Sequence, residues 1–279
     1  MTAEHERPLV AGVIGWPIMH SKSPRLFDYW FAAHGVPGRY VPLAVPPEDF
    51  ETVLRALPKA GFRGANVTVP HKETAFALAD ERTPVAEAIG AANTLIFGVD
   101  GAITAHNTDA YGFIENLRAG APAWVPSAAP AVVLGAGGAA LAVVHALLEA
   151  GVPTVTITNR SRERAVAIAE RFGPRVTVRD WGEREAALGG AGVLVNTTVL
   201  GMLGKPELVL SLDALPDTAV VNDIVYAPLE TDLLVRARAR GNTAVDGLGM
   251  LLHQARPGFR AWFGADPAVD DGLRRAVLA

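Results

Sequence analysis

The chain contains no cysteine. That absence removes disulfides, thiolate metal sites and a cysteine nucleophile together, and it fits a reducing compartment. Charge of one sign is not in excess either. A formal net charge of −4 gives no electrostatic reason to expect nucleic acid or an anionic membrane as a partner. Long hydrophobic runs are missing: the longest apolar stretch, Ala131–Val144, is too short to span a bilayer and carries a cluster of glycines. The first eight residues hold no apolar core of the kind a secretory signal needs, so a cytoplasmic location is expected. No fixed-period repeat and no low-complexity tail are present.

What remains is an ordinary soluble composition, half apolar, in 279 residues, a length that suits two modest domains. Strands are expected at Leu9–Ile14, Tyr40–Val45 and Asn66–Val69, and helices at Ser23–His34, near Glu48–Leu57 and from Pro70 to Ala79. Ser23 reads as an N-cap, with Pro24 at the first helical position. Thr94–Phe97 and Ile103–Ala105 flank the turn Val99-Asp100-Gly101, a hairpin signal. A helix near Ala110–Arg118 leads into Ala119–Pro130, whose Ala, Pro and Gly content marks a candidate boundary. Beyond it, strands at Ala131–Leu134, Thr154–Thr158, Arg175–Val178, Val193–Asn196, Ala219–Asn222 and Thr243–Val245 alternate with helices. That rhythm implies a parallel sheet covered on both faces. The segment from Gly247 onward reads as mostly helical. The fold class is therefore α/β.

The sharpest local signal is Ala131-Val132-Val133-Leu134 followed at once by Gly135-Ala136-Gly137-Gly138-Ala139-Ala140. In a strand–turn–helix unit, the first two glycines of Gly-x-Gly-x-x-Ala allow a tight turn and close approach of a pyrophosphate. The third small residue lets helix and strand pack closely. The following helix N-terminus faces the phosphates with unpaired N–H groups. The next strand ends in Asn159-Arg160-Ser161, where a preference for NAD would call for an acid. Arg160 stands there instead, and Arg164, four residues on, is expected on the same helical face. Two guanidinium groups suit the 2′-phosphate of NADP.

Three polar stretches precede this unit. Ser21-Lys22-Ser23-Pro24 puts two hydroxyls before a helix start, where an anion is favoured. Asn66-Val67-Thr68-Val69-Pro70-His71-Lys72 places Lys72 in a first helical turn, where the dipole disfavours a cation; that local conflict points to function. Asn107-Thr108-Asp109 precedes a helix that Asp109 could simply cap. Asn93-Thr94 supplies a further amide before a strand.

In this order, ahead of a Gly-x-Gly-x-x-Ala unit, these stretches resemble the shikimate dehydrogenase family. The matching pieces are Gly15–Pro24, Gly64–Lys72, Ala92–Leu95, Asn107–Asp109, Gly135–Ala139, Asn159-Arg160, Asn196–Met202, Val225–Pro228 and Gly247–Ala255, so the resemblance covers almost the whole chain. It implies an NADP-dependent oxidoreductase that reduces 3-dehydroshikimate to shikimate, a step of aromatic amino acid biosynthesis, without a metal. Lys72 and Asp109 would form the catalytic pair. Ser21 and Ser23 would hold the substrate carboxylate, Thr68, Asn93, Asp109 and Gln254 the ring hydroxyls, with Tyr226 at the rim. Gly135, Ala136, Gly137, Gly138 and Ala139 would cradle the pyrophosphate. Asn159, Arg160 and Arg164 would surround the adenosine phosphate, and Thr197, Ile224, Gly247 and Met250 would border the nicotinamide. The implied domains are residues 1–108 with 247–279 for substrate, and 109–246 as a Rossmann-type cofactor domain. The expected partner is a small molecule, with the chain a monomer or homodimer.

The chain departs from the family pattern at three positions. His106 stands where a small or other polar residue is common, His71 where aromatics are frequent, and Leu141 where a basic residue often lies. The two histidines read as spectators with a titrating role still open. Three rival readings share much of this pattern. They are a quinate/shikimate dehydrogenase that uses NAD, a catalytically silent dinucleotide sensor, and a folate-linked methylene dehydrogenase. The missing acid at residues 159–161 argues against the first. Retention of Lys72 and Asp109 argues against the second, and the Ser21/Ser23 pair against the third.

Overall fold

The structure is a computed structural model that describes residues 9–279; the expectation drawn from residues 1–8 lies outside the described residues. The chain divides into two compact units. The first runs up to Asp109 and resumes at Leu251–Ala279; the second is Ala110–Met250. The Ala/Pro/Gly-rich stretch 119–130 therefore lies inside the second unit and is no boundary. Its prolines and glycine end a helix and lead into a strand.

The first unit carries β1 (Val10–Gly15), α1 (Ser23–His34), β2 (Arg39–Ala44), α2 (Phe50–Ala56), β3 (Gly64–Val67), α3 (Lys72–Leu78), β4 (Glu81–Arg82), α4 (Pro84–Ile89), β5 (Thr94–Phe97) and β6 (Ile103–His106). The six strands form one sheet in the order β2-β1-β3-β5-β6-β4. β1 pairs in parallel with β2 and β3, whereas β5 is antiparallel to both β3 and β6, which makes the expected hairpin. Neither β4 nor α4 has a counterpart among the expected elements. β4 is a two-residue pairing, too short to show any period. α4 is six residues, capped by the Thr83 hydroxyl and closed by Gly90 at φ 74°. The expected helix near residue 48 opens as a single 3-10 turn at Pro47–Asp49 before α2 begins at Phe50.

Ser23 is not the N-cap of α1. That position falls on Lys22, which makes no side-chain cap, and Ser23 is the first helical residue. Lys22 reaches the carbonyl of Val277, 3.0 Å away, near the end of the C-terminal helix α10 (Asp271–Leu278), where a cation complements the helix dipole. Phe27 stacks on Tyr40 at 3.7 Å and packs among Phe259, Trp262 and Phe263. Trp262 donates from its indole to the Leu95 carbonyl at 3.0 Å. This aromatic layer anchors the returning C-terminal segment to the sheet. A second apolar cluster, including Ile14, Phe50, Leu54, Val67 and Leu95, also packs on this sheet.

The second unit holds β7 (Ala131–Leu134), α6 (Gly138–Glu149), β8 (Val155–Asn159), α7 (Arg162–Phe172), β9 (Val176–Asp180), β10 (Val193–Asn196), β11 (Val220–Asp223), α8 (Asp232–Ala239) and β12 (Thr243–Val245); α5 (Asp109–Gly120) starts on the last residue of the first unit, and α9 (Leu248–Phe263) passes from the second unit into the first at Leu251. Its strands are all parallel, in the order β12-β11-β10-β7-β8-β9. Numbered from β7 as the first, this is the doubly wound order of dinucleotide-binding sheets, with the strand order reversing between β7 and β10. β7 and β10 are buried along their whole length, as a strand covered on both faces must be.

Candidate active site

In the first unit, Lys72 opens α3 and Asp109 opens α5. Their side chains form a short, nearly buried ion pair between Lys72 Nζ and Asp109 Oδ2, with 17% and 9% of each side chain exposed. The pair resolves the conflict seen in the sequence. A cation at a helix start is unfavourable alone, and an adjacent carboxylate offsets the dipole. Asp109 does not cap its own helix. Its amide donates to Asn107 Oδ1 at 3.1 Å, so Asn107 takes that duty and leaves the Asp109 carboxylate free for side-chain chemistry.

The other Asp109 oxygen accepts from Asn93 Nδ2 at 2.8 Å. The same amide group lies 3.1 Å from Gln254 Oε1 and 3.0 Å from Thr108 Oγ1. Its two hydrogens are thus shared among three acceptors. Asn93 Oδ1 accepts from the Thr108 amide at 2.7 Å, which fixes the orientation of the whole side chain. Below it, Thr94 and Thr108 hydroxyls meet at 2.9 Å. Asn66 Nδ2 donates to Thr94 Oγ1 at 3.0 Å, and Tyr40 donates to Asn66 Oδ1 at 2.6 Å. Burial pushes the Tyr40 phenol well above its ordinary pKa, so it stays a donor. Lys72, Asn93, Asp109 and Gln254 are thereby brought together on a buried polar layer. Sequence reasoning missed the support that Thr94, Thr108, Asn66 and Tyr40 provide. Asn66 was the readable signal, since it is a buried amide in an otherwise apolar four-residue strand.

Ser21 and Ser23 lie at the β1–α1 turn, where the Ser23 amide donates to Ser21 Oγ at 3.3 Å. Thr68 follows β3 directly. Its amide donates to the Ile14 carbonyl at 2.9 Å and its own carbonyl accepts from His71. His71 is a structural pin. It is buried, stacks on Phe50 at 4.3 Å and holds the Val45 carbonyl through Nε2 at 2.8 Å, immediately before Lys72. His106 sits 3.1 Å from the Thr83 hydroxyl, and burial lowers its pKa, keeping it neutral.

In the second unit, Gly135 directly follows β7 with φ 104°, a conformation L side chains rarely adopt, and a Cβ there would lie 2.7 Å from Thr197 Oγ1. Gly137 is the N-cap of α6, without a side-chain cap, and open space lies where its Cβ would be. Gly138 and Ala139 form the first turn of the helix, and Ala140 is fully buried, as close helix–strand packing requires. A backbone cradle left open at an uncapped helix start fits a pyrophosphate. Asn159 closes the turn after β8 with a bond to the Ser161 carbonyl at 2.8 Å. Arg160 and Arg164 are both exposed, but they do not share a helical face. α7 begins only at Arg162, so Arg160 belongs to the turn. Arg162 is paired with Asp180 at 2.5 Å.

Thr197, Ile224, Tyr226, Gly247 and Met250 all belong to this unit, at or after the ends of β10, β11 and β12. Burial raises the Tyr226 phenol. Gly247 presses on the turn after β11: a Cβ would sit 2.2 Å from the Ile224 carbonyl. Asp223, the last residue of β11, is 1% exposed. Its Oδ1 accepts from Asn196 Nδ2 and the Val225 amide, both at 3.0 Å, and its Oδ2 from the Thr231 hydroxyl at 2.8 Å.

Comparison with known proteins agrees along the chain. Residues 13–95 match the shikimate dehydrogenase substrate binding domain, residues 125–202 the shikimate / quinate 5-dehydrogenase domain, and residues 247–276 the shikimate 5′-dehydrogenase C-terminal domain. The NADP(+) shikimate dehydrogenase of Paramagnetospirillum magneticum is 61% identical over 97% of this chain and 98% of its own. That of Paracoccus denitrificans is 58% identical over 97% and 96%. Among solved structures, the Thermus thermophilus shikimate 5-dehydrogenase in complex with NADP(H) and shikimate superposes with a TM-score of 0.86 at 37% identity, covering 96% of this chain and 98% of that one. The quinate dehydrogenase of Corynebacterium glutamicum in complex with NAD superposes with a TM-score of 0.89 at 32% identity, over 97% and 99%.

Burial raises the Asp223 carboxyl to about 6 from an ordinary 3.8, against the lowering effect of its three hydrogen bonds. A folded-state pKa above the unfolded one means that protonation favours the folded form. The stabilisation is complete below the unfolded value and lost as pH rises through about 6. Between pH 5 and pH 8 the wild-type chain should therefore lose roughly 1 kcal/mol of stability relative to Asp223→Asn. Denaturant titrations of both proteins at the two pH values measure this, and parallel pH profiles would refute it.

Proposed function

The chain belongs to the shikimate dehydrogenase family, and on that premise we propose that it is an NADP-dependent oxidoreductase interconverting 3-dehydroshikimate and shikimate. The observation that carries the reading is the buried Lys72–Asp109 pair held by Asn93, whose amide also donates to Gln254. A dehydrogenase of this kind needs one proton donor or acceptor beside the reacting oxygen, fixed by neighbours. Bound nicotinamide supplies the hydride. Lys72 carries three hydrogens on Nζ and commits one direction to Asp109, which leaves donors for a substrate oxygen. In reduction, a Lys72 N–H polarises the ketone oxygen and hands its proton to the developing alkoxide. In oxidation the same nitrogen takes the hydroxyl proton back. Asp109 holds the ammonium and orients the adjacent hydroxyl. Asn93, Gln254 and Thr68 bind ring hydroxyls, and the Ser21 and Ser23 hydroxyls hold the carboxylate. Tyr226 completes the substrate contacts.

In the cofactor unit, Gly135, Ala136, Gly137, Gly138 and Ala139 present main-chain N–H groups to the pyrophosphate. Arg160 and Arg164 hold the 2′-phosphate beside Asn159, and Thr197, Ile224, Gly247 and Met250 border the nicotinamide. The division of labour is residues 1–108 with 247–279 for substrate and 109–246 for cofactor. The setting is cytoplasmic biosynthesis of aromatic amino acids, as a monomer or homodimer. Among the described residues no helix is long and apolar enough to cross a membrane.

Initial rates with shikimate and with quinate, each with NADP and NAD, test the reading; shikimate with NADP should be fastest by at least tenfold, and preference for quinate with NAD would replace it. Lys72→Ala should lower kcat by at least about 100-fold while shikimate still binds. Turnover within a few-fold of wild type would remove Lys72 from the chemistry. Arg160→Ala should raise the KM for NADP about tenfold or more and leave that for NAD within about twofold, given the usual strength of hydrogen bonds to charged groups. Equal changes for both cofactors would end the 2′-phosphate role.

A further inference from the structure

The buried carboxylate of Asp223 is used by none of the chemistry above, yet it joins two loops that the cofactor reading depends on. One is the turn after β10. Asn196 Nδ2 donates to Asp223 Oδ1 at 3.0 Å, and the Asn196 amide oxygen then accepts from the Thr198 amide at 3.0 Å and the Thr198 hydroxyl at 2.7 Å. Thr198 Oγ1 in turn accepts from the Leu200 amide at 3.1 Å. Inside this turn the Thr197 hydroxyl donates to the Leu134 carbonyl at 2.7 Å and closes against Gly135. The other loop follows β11. Its Val225 amide donates to the same Asp223 oxygen, and its Ile224 carbonyl abuts Gly247. Main-chain bonds also join the two loops, from the Ile224 amide to the Asn196 carbonyl at 3.1 Å and from the Leu203 amide to the Ala227 carbonyl at 2.7 Å, and packing is incomplete beside them. A cavity of about 200 Å³ lies among Leu200, Gly201, Leu208, Asp223, Pro228 and Thr231. Directional hydrogen bonds must set the loop positions where packing leaves space.

We infer that Asp223 is a positioning residue for the dinucleotide: through Asn196 and Val225 it fixes the two turns that carry Thr197 and Ile224. The inference rests on the cofactor reading given above. Loss of the anchor should weaken cofactor binding far more than substrate binding, since Tyr226 alone of the substrate contacts lies on these turns, and it should leave Lys72 and Asp109 in place. Asparagine at 223 keeps an acceptor for Asn196 and Val225, and its amide can donate to the Thr231 hydroxyl. It is therefore the conservative replacement. Aspartate at 196 sets two carboxyl groups against each other at the same contact.

The test is titration of the full-length protein with NADPH, followed by fluorescence, alongside KM for shikimate and thermal melting. Asp223→Ala should raise the Kd for NADPH at least tenfold, with the shikimate KM within threefold of wild type, and Asp223→Asn should stay within threefold for both. Should Asp223→Ala fail to fold, Asn196→Asp is the second probe. It should weaken NADPH binding at least tenfold, and adding Asp223→Asn in the same chain should recover at least threefold of that loss. Wild-type affinity in Asp223→Ala or Asn196→Asp, or no recovery in the double variant, would overturn the anchor role. So would an equal loss of shikimate affinity. A wild-type protein that binds neither NADPH nor NADH would remove the cofactor reading itself, and the inference with it.

Discussion

The ion pair between Lys72 and Asp109 is the constraint around which the first unit is arranged. Two charges drawn out of water are expensive unless each is fully partnered, and leaving one alone is worse than having neither. The chain meets this condition for Asp109 from several elements at once and leaves Lys72 a donor direction for substrate. α3 delivers the lysine and α5 the aspartate, the residue before β5 supplies Asn93 to Asp109, and the C-terminal segment brings Gln254 to accept from Asn93. The Thr94, Thr108 and Asn66 layer beneath fixes Asn93 in turn. This accounts for the return of the C-terminal segment to the first unit. Its aromatic residues Phe259, Trp262 and Phe263 supply the apolar burial, and that burial holds Gln254 at the polar layer.

The second unit solves a different problem with different means. A dinucleotide presents phosphates, and backbone N–H groups at a helix start already suit an anion. The demands on side chains are therefore mostly negative: a Cβ at Gly135 would meet Thr197, space is left open at Gly137, and Ala140 is small and fully buried. The substrate unit needs side chains placed to a fraction of an ångström, and it uses buried amides and hydroxyls to do so. The cofactor unit needs turns placed to the same accuracy, and it uses Asn196 and Asp223. Polar residues at the C-terminal ends of β3, β10 and β11 serve both ends.

Much of this could be read in the chain because the signals were local. The Gly-x-Gly-x-x-Ala turn, the hairpin at residues 94–106 and the parallel strands from Ala131 each follow from a few adjacent residues, and all are present. Lys72 stood out because it violated a local rule. The misreadings were places where local sequence allowed two outcomes. Ser23 could cap or begin α1, and the Ser21 hydroxyl that receives its amide decides for the second. Asp109 could cap α5, but it is the helix's first residue and its carboxylate is taken by Lys72 and Asn93. The shared helical face of Arg160 and Arg164 failed because Asn159 tightens the turn and delays α7 to Arg162. Nothing local could reveal that Tyr40, Asn66, Thr94 and Thr108 form one layer, since their contacts link separate elements.

Asp223 illustrates why such a residue survives at a cost. Its ionised form is disfavoured by burial, which is what lifts its pKa to about 6. An apolar residue of similar size would avoid that cost yet leave the Asn196 amide, the Val225 amide and the Thr231 hydroxyl without their acceptor. Each buried donor so stranded costs about 1–3 kcal/mol. The three together outweigh the penalty of one charge that can still take up a proton. Protonation on Oδ2 would let the carboxyl donate to Thr231 while Oδ1 continues to accept from both loops. The network therefore tolerates either state of the carboxyl, and what the position requires is an acceptor at Oδ1 more than a negative charge.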